Sequence, residues 1–172
     1  MIDVKRIFPE CHADTLLVEL ILQRGTPKHF HGINNVGIAL MKYPKNDFII
    51  GIIDTDKFKR KDPNIELFTT TISDKLHDEK LIIKQQPKTN KYIIRLAPEF
   101  EPWVWELAKK CNIAPGDFGF DTIKKLKNVA KDENAAANKN LKKFLNAIIQ
   151  ANPPAIQTLR YWLSKATTEN NN

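Results

Sequence analysis

The hydrophobic positions of this chain fall into three rhythms, and each predicts a different kind of element. Leu16, Leu17, Val18, Leu20, Ile21 and Leu22 form an apolar run interrupted by Glu19, with Thr15 and Gln23 four places to either side of it. Polar residues spaced by four make one narrow stripe on a helix, whereas a half-exposed strand would alternate by two. A largely buried helix is therefore predicted over residues 14–24, with Asp14-Thr15 supplying its N-cap. Ile33, Val36, Leu40 and Met41 recur at helical spacing, and Pro44 closes this second helix. Residues 48–53 behave differently, as an unbroken apolar run just before Asp54-Thr55-Asp56. Strands covered by helices on both faces look like this. A short strand over residues 3–8, ending at Pro9-Glu10, completes a strand, helix, helix, strand opening. That is the rhythm of an α/β layered domain.

Beyond the basic tract of residues 57–64 the pattern weakens. Two strands are predicted at 81–85 and 92–96, around a turn at 86–91. A helix is predicted over 98–110, with Pro102 suited to its first turn. In residues 139–151, Leu141, Phe144, Leu145, Ile148 and Ile149 share one helical face, and Lys139, Lys142 and Lys143 lie off it. Asn152-Pro153-Pro154 breaks that helix and opens another over 155–166, with a frayed tail from about residue 167. The expected organisation is an α/β core over residues 1–112 and a helical extension packed on it over residues 113–172.

A chain of 172 residues is long enough for one domain with a real hydrophobic core. Its 42% hydrophobic and 27% charged residues set it apart from disordered and fibrous chains. No apolar run approaches the roughly 20 residues of a membrane span, and the first ten residues lack the layout of a signal peptide. Two cysteines, Cys11 and Cys111, are too few for a disulfide framework, so a cytoplasmic location is expected, with no membrane partner. The net charge of +7 favours polyanions, nucleic acid first. From residue 118 onward nine Lys/Arg stand against four Asp/Glu, which supplies +5 of that charge. Lys124, Lys127 and Lys131 share a helix face there, readable either as a nucleic-acid clamp or as a solvated surface.

Candidate chemistry lies in three carboxylates. Glu10 follows the first strand, and Asp54 and Asp56 follow the buried one. In open α/β sheets, ligands gather outside the carboxyl ends of parallel strands. A DxD at such an end, joined by a third carboxylate from a neighbouring strand, makes the oxygen-rich site that Mg²⁺ prefers. Asp is also a frequent turn residue, so either motif alone is weak. Glu19 lies on the polar stripe of its helix and is expected to face solvent.

Pro9-Glu10-Cys11-His12-Ala13-Asp14, followed by an apolar helix and Gly25, resembles the opening motif of Toprim domains. In that motif a strand ends in Glu, usually followed by Gly, with an acidic residue four places on; Cys11 stands where the glycine is usual. The segment GIIDTDK resembles the second Toprim motif, an apolar strand ending in DxD. The resemblance covers about a third of the chain. It implies a Rossmann-like, mainly parallel sheet flanked by helices. It also implies that Glu10 acts as general acid/base or metal ligand, while Asp54 and Asp56 hold Mg²⁺, with Mn²⁺ as a substitute. Pro98-Glu99-Phe100-Glu101-Pro102-Trp103 is similar to a pattern found after the core of some Toprim nucleases of phage defence, which would make Glu101 a further metal ligand. Glu101 could equally stabilise the first turn of its helix. Lys57 could neutralise charge on a transferring phosphate or belong to a solvated basic loop with Lys59, Arg60 and Lys61.

The chain is too short for the gate of a topoisomerase or the accessory parts of a primase. The expected function is therefore Mg²⁺-dependent hydrolysis of DNA or RNA phosphodiesters, as in the OLD-type and other phage-defence Toprim nucleases, with an ATPase subunit as a potential partner. The alternative is a non-catalytic nucleic-acid or partner-binding module on the same scaffold. A signalling receiver fits less well, because Glu10 and Asp14 are not adjacent. His29 and His31, with Cys11 and His12, offer zinc-ligand types, but HxH without paired CxxC does not define a zinc site. Ordinary loop histidines are expected there, and Trp103 and Trp105 are expected to serve the core.

Overall fold

The computed structural model describes residues 4–23, 25–55, 62–75 and 79–168. The first strand, β1, is short, Ile7–Pro9, and a 3-10 turn at Val4–Arg6 occupies the rest of the stretch expected to be extended. Helix α1, His12–Leu22, starts earlier than its apolar run predicts. Its N-cap is Cys11, not Asp14: Cys11 Sγ accepts from the Asp14 N–H at 3.3 Å, and Asp14 Oδ2 accepts from the Cys11 N–H at 3.2 Å. This is the reciprocal capping box with a thiol in place of the usual hydroxyl. It puts Asp14 inside the first turn, almost fully buried. Helix α2, Ile33–Met41, and strand β2, Ile49–Asp54, follow as the apolar rhythm predicts.

Strands β3 (Thr70–Lys75), β4 (Leu81–Gln85) and β5 (Lys91–Leu96) complete one five-stranded sheet of order β1-β2-β5-β4-β3. The pairings β1–β2 and β2–β5 are parallel, and β5–β4 and β4–β3 are antiparallel. The sheet is thus mixed, where a mainly parallel one was expected. Strand β3 escapes the hydrophobic reading because nearly all of it is exposed and nothing alternates. It is an edge strand carrying Asp74 and Lys75, charges that discourage pairing with another chain.

Helices α3 (Phe100–Lys110), α4 (Ile123–Ala130), α5 (Lys139–Ala151) and α6 (Pro154–Thr168) form the second half. Helix α6 continues through two residues expected to be frayed tail. Strand β2 is buried along nearly its whole length, and successive side chains enter two different clusters. Ile50 and Ile52 join a cluster with α1, α3, α4, α5 and α6, while Ile49 and Ile53 join a smaller one with Val36 and Leu40 of α2. Burial on both faces explains why β2 reads as a continuous apolar run. The larger cluster runs without interruption from Ile7 to Ala166, so α4, α5 and α6 share one core with the sheet. Among the described residues no helix is long and apolar enough to cross a membrane.

Gly51 sets how closely α2 lies on β2. A Cβ there would come within 2.9 Å of Val36 Cγ1 and 3.1 Å of Leu40 Cδ1. Gly51→Ala is expected to destabilise the fold by about 1–3 kcal/mol through overpacking. Gly116→Ala, whose nearest neighbour would be Asp121 Oδ1 at 3.7 Å, is the tolerated control. Urea denaturation of the two variants checks this; equal midpoints would mean that α2 does not seat on Gly51.

Candidate metal centre

Two adjacent parallel strands each deliver an acid at their carboxyl end, and the helix after the third brings another. Glu10 directly follows β1, and its N–H extends the ladder by donating to Ile52 O at 3.0 Å. Asp54 closes β2 in register with Leu96 of β5, and the Thr55 N–H donates to Leu96 O at 2.8 Å. Side chains alternate along a strand, so Asp54 projects to the face of Ile50 and Ile52, where α1 and α3 pack. Glu101 is the second residue of α3, the helix that begins a few residues after β5. Asp14 joins from the first turn of α1. Glu10 and Asp54 meet directly, Glu10 Oε2 accepting the Asp54 N–H at 3.1 Å.

These acids perturb one another. Burial pushes the Asp54 carboxyl up to about 9, reinforced by the charges of Asp14, Glu10 and Glu101 and opposed by a hydrogen bond from the Phe100 backbone. Burial likewise raises Asp14 to about 7, against the lowering effect of its hydrogen bond to Cys11 and with Glu10 and Glu101 adding to the rise. Glu101 is raised by burial, with Lys131 and Lys127 pulling it back. One carboxylate oxygen each of Asp14 and Asp54 is buried without a hydrogen-bond partner among the described residues. Buried polar atoms are normally satisfied, so these two oxygens call for a partner that the described residues do not supply. Hard oxygens are the donor type that Mg²⁺ takes, but among the described residues the close-set group of potential metal ligands is the trio His12, His29 and His31, not these acids.

Two of the four acids, Glu10 and Asp54, open onto a cleft of about 550 Å³, while Asp14 and Glu101 are buried behind them. Glu10 and Asp54 line it together with the N-terminus of α2 at Gly32 and Ile33, and Lys131 at the end of α4. Helix α2 starts without a side-chain cap, so its first amide groups are presented towards the cleft. Of the lysine face expected on α4, Lys127 pairs with Glu99 at 2.8 Å and Lys131 reaches the cleft.

Three histidines, with Cys11 and Ala130, make the rest of the cleft wall. His12 opens α1, and the loop carrying His29 and His31 is laid along the end of β1. There the Phe30 N–H donates to Pro9 O at 3.1 Å and the Gly32 N–H to Glu10 O at 3.3 Å. The Phe30 ring packs edge-on against Phe8, 5.2 Å between centroids, while the two histidines flanking it turn to the cleft. His12 and His29 stack with ring centroids 3.8 Å apart and planes 9° from parallel, and His29 Nε2 lies 2.9 Å from His31 Nδ1. Burial lowers the His29 imidazole, as do the charges of His12 and His31. Sequence reasoning weighed these residues and set them aside as ordinary loop histidines. What it could not see was the loop returning to the start of α1.

Other expectations divide. Asp56 and Lys57, with the neighbouring basic tract, lie outside the described residues, so the site is built here from Glu10, Asp54, Glu101 and Asp14. Glu19 is half-exposed and bonds Thr26 across 3.2 Å, away from the cleft. Trp103 is a core residue whose indole donates to Glu79 O at 2.9 Å, and Trp105 is half-buried against the same core. No protein-family model matches the chain, and no curated protein or solved structure matches it either.

Two acids raised by burial give the metal-free protein a definite pH dependence. In the unfolded chain Asp titrates near 3.9, about pH 4, so above that the unfolded state sheds protons that folded Asp14 and Asp54 still hold. Stability is fully present below about pH 4, falls as pH rises, and is lost through about 7 for Asp14 and about 9 for Asp54. Denaturation in chelator across this range is expected to show a decline that Asp54→Asn makes shallower. An unchanged slope in the variant would show that Asp54 is not held in a cluster of acids.

Proposed function

We propose that the protein is a divalent-metal-dependent phosphodiesterase acting on nucleic acid, built on a Toprim-like core. The observation that carries this reading is the meeting of Glu10 and Asp54 at the carboxyl ends of the parallel strands β1 and β2, lining one open cleft, with Glu101 of α3 near enough to raise Asp54. Mg²⁺ or Mn²⁺ held by these oxygens would orient a water and offset the charge that builds on the phosphate in an in-line attack. Asp54 would hold the cation in its ionised form, giving up the proton that burial favours in the metal-free protein. Glu10, oriented by the Asp54 amide, would serve either as a cation ligand or as the base that accepts the proton of the attacking water.

The chain's cations and amides handle the substrate. Lys131 and the uncapped start of α2 face the cleft and suit a phosphate group. The net charge of +7 holds a polyanion against the surface in spite of the acidic floor. Asp56 and Lys57 remain part of the proposal as a second cation ligand and a phosphate contact.

Purified protein is expected to cleave at least one of single-stranded DNA, duplex DNA, structured RNA or tRNA with Mg²⁺ or Mn²⁺. Chelator and Asp54→Ala should abolish cleavage, and Glu10→Gln should slow it by at least about a hundredfold. Absence of cleavage on every substrate with either ion removes the enzymatic reading. Salt-dependent binding that is indifferent to Asp54→Ala and Asp56→Ala would leave a nucleic-acid-binding module in its place.

A further inference from the structure

The histidine wall of the cleft has a geometry that the carboxylate chemistry does not use. Among the described residues, His12, His29 and His31 form a potential ligand set, with one nitrogen from each within 4.8 Å of the others. We propose that these three imidazoles bind a first-row transition ion, Zn²⁺ being the fitting case, and leave a coordination position open to the cleft. The inference does not rest on the nuclease reading.

Ligand chemistry separates this site from the acidic one. Imidazole selects Zn²⁺ and its transition-metal neighbours, whereas Mg²⁺ prefers oxygen. Three protein ligands plus a position for water or substrate is the arrangement of catalytic zinc, while structural zinc is closed by four. At Zn–N distances of 2.0–2.1 Å, tetrahedral donors stand about 3.3 Å apart. His29 Nε2 and His31 Nδ1, at 2.9 Å, are already near that spacing. The widest separation in the set is at most 4.8 Å, and because His12 and His29 are stacked with planes 9° from parallel, their in-plane lone pairs meet on one ion only when one of the two rings turns out of the stack, a rotamer change about side-chain torsions.

The hydrogen-bond network favours the ligating tautomer of His29. The single hydroxyl proton of Thr15 is donated to Cys11 O at 2.8 Å. Thr15 Oγ1 can therefore only accept from His29 Nδ1, which lies 3.5 Å away. With the proton on Nδ1, His29 Nε2 presents its lone pair towards His31. Orientation of a ligating histidine through its other ring nitrogen is the usual support of a metal site. The proton between His29 Nε2 and His31 Nδ1 then belongs to His31. Because His31 is exposed, it can carry that proton on Nε2 instead and free Nδ1 for the ion.

Two elements hold the set in place before any ion arrives. His12 is fixed by the Cys11–Asp14 capping box at the start of α1, and His29 and His31 by the pairing of their loop with the end of β1. Ligands at neighbouring positions of a rigid turn and an anchored loop lose little entropy on binding.

The test is titration of full-length, chelator-treated protein with Zn²⁺ in excess Mg²⁺, followed by Co²⁺ substitution read by visible absorption. One equivalent of Zn²⁺ is expected, with the intense d–d bands of a low-coordinate Co²⁺ site. His29→Gln and His31→Gln should each weaken Zn²⁺ at least about tenfold while unfolding at the native temperature. The two loop variants are measured separately, so that one poorly folded protein does not decide the matter. No stoichiometric Zn²⁺ binding by the native chain overturns the proposal. So does binding that survives both histidine variants but disappears in Asp54→Asn, which would assign the ion to the carboxylates. Failure of nucleic-acid cleavage with Zn²⁺ binding intact sinks the nuclease reading alone.

Discussion

Parallel pairing of β1, β2 and β5 is the constraint on which the rest of the molecule depends. Parallel strands place their carboxyl ends at one edge, and here that edge collects Glu10, Asp54 and the turn into α3. An antiparallel neighbour on either side of β2 would have sent one acid to the opposite rim. The pairing in turn requires β2 to be apolar on both faces, so that α1 and α3 can cover one side and α2 the other. The lack of a side chain at Gly51 lets α2 approach closely enough to do so.

That edge is electrostatically expensive. Like charges brought together and removed from water disfavour ionisation, and Asp14, Asp54 and Glu101 all rise for this reason. The fold tolerates them because a large continuous core, from Ile7 to Ala166, supplies the stability that the acids withdraw. Groups held in an unfavourable state by the remainder of a structure are characteristic of functional sites. Asp14 shows how one residue can serve two ends: one carboxylate oxygen caps α1 through Cys11, and the other is left buried and unmatched.

The cleft also reconciles a basic protein with an acidic floor. Lys131 and the open end of α2 stand at its mouth, while Lys127 is committed to Glu99. Much of the positive charge of the C-terminal half lies on solvated faces of α4 and α5. Carboxylates, imidazoles and a lysine therefore share one concavity.

Much of the architecture was legible in the chain itself, because burial imposes its own periodicity. The buried helix at 16–22, the two-sided strand ending at Asp54 and the amphipathic α5 all declare themselves through which positions can tolerate water. Glu10 and Asp54 could be nominated for the same reason, as polar residues set immediately after strands that must be buried. Strand β3 could not be read, since an exposed edge needs no hydrophobic pattern and owes its form to pairing with β4. Likewise, no local signal fixed the order of the sheet, the reversal of β4, or the Cys11 cap that displaced Asp14. Only tertiary structure decided that His12 and the His29–His31 loop, seventeen positions apart at their nearest, would face one another. Sequence records which residues must leave water; which of the remaining polar ones meet depends on strand register and loop return, and these are settled by the whole core packing at once.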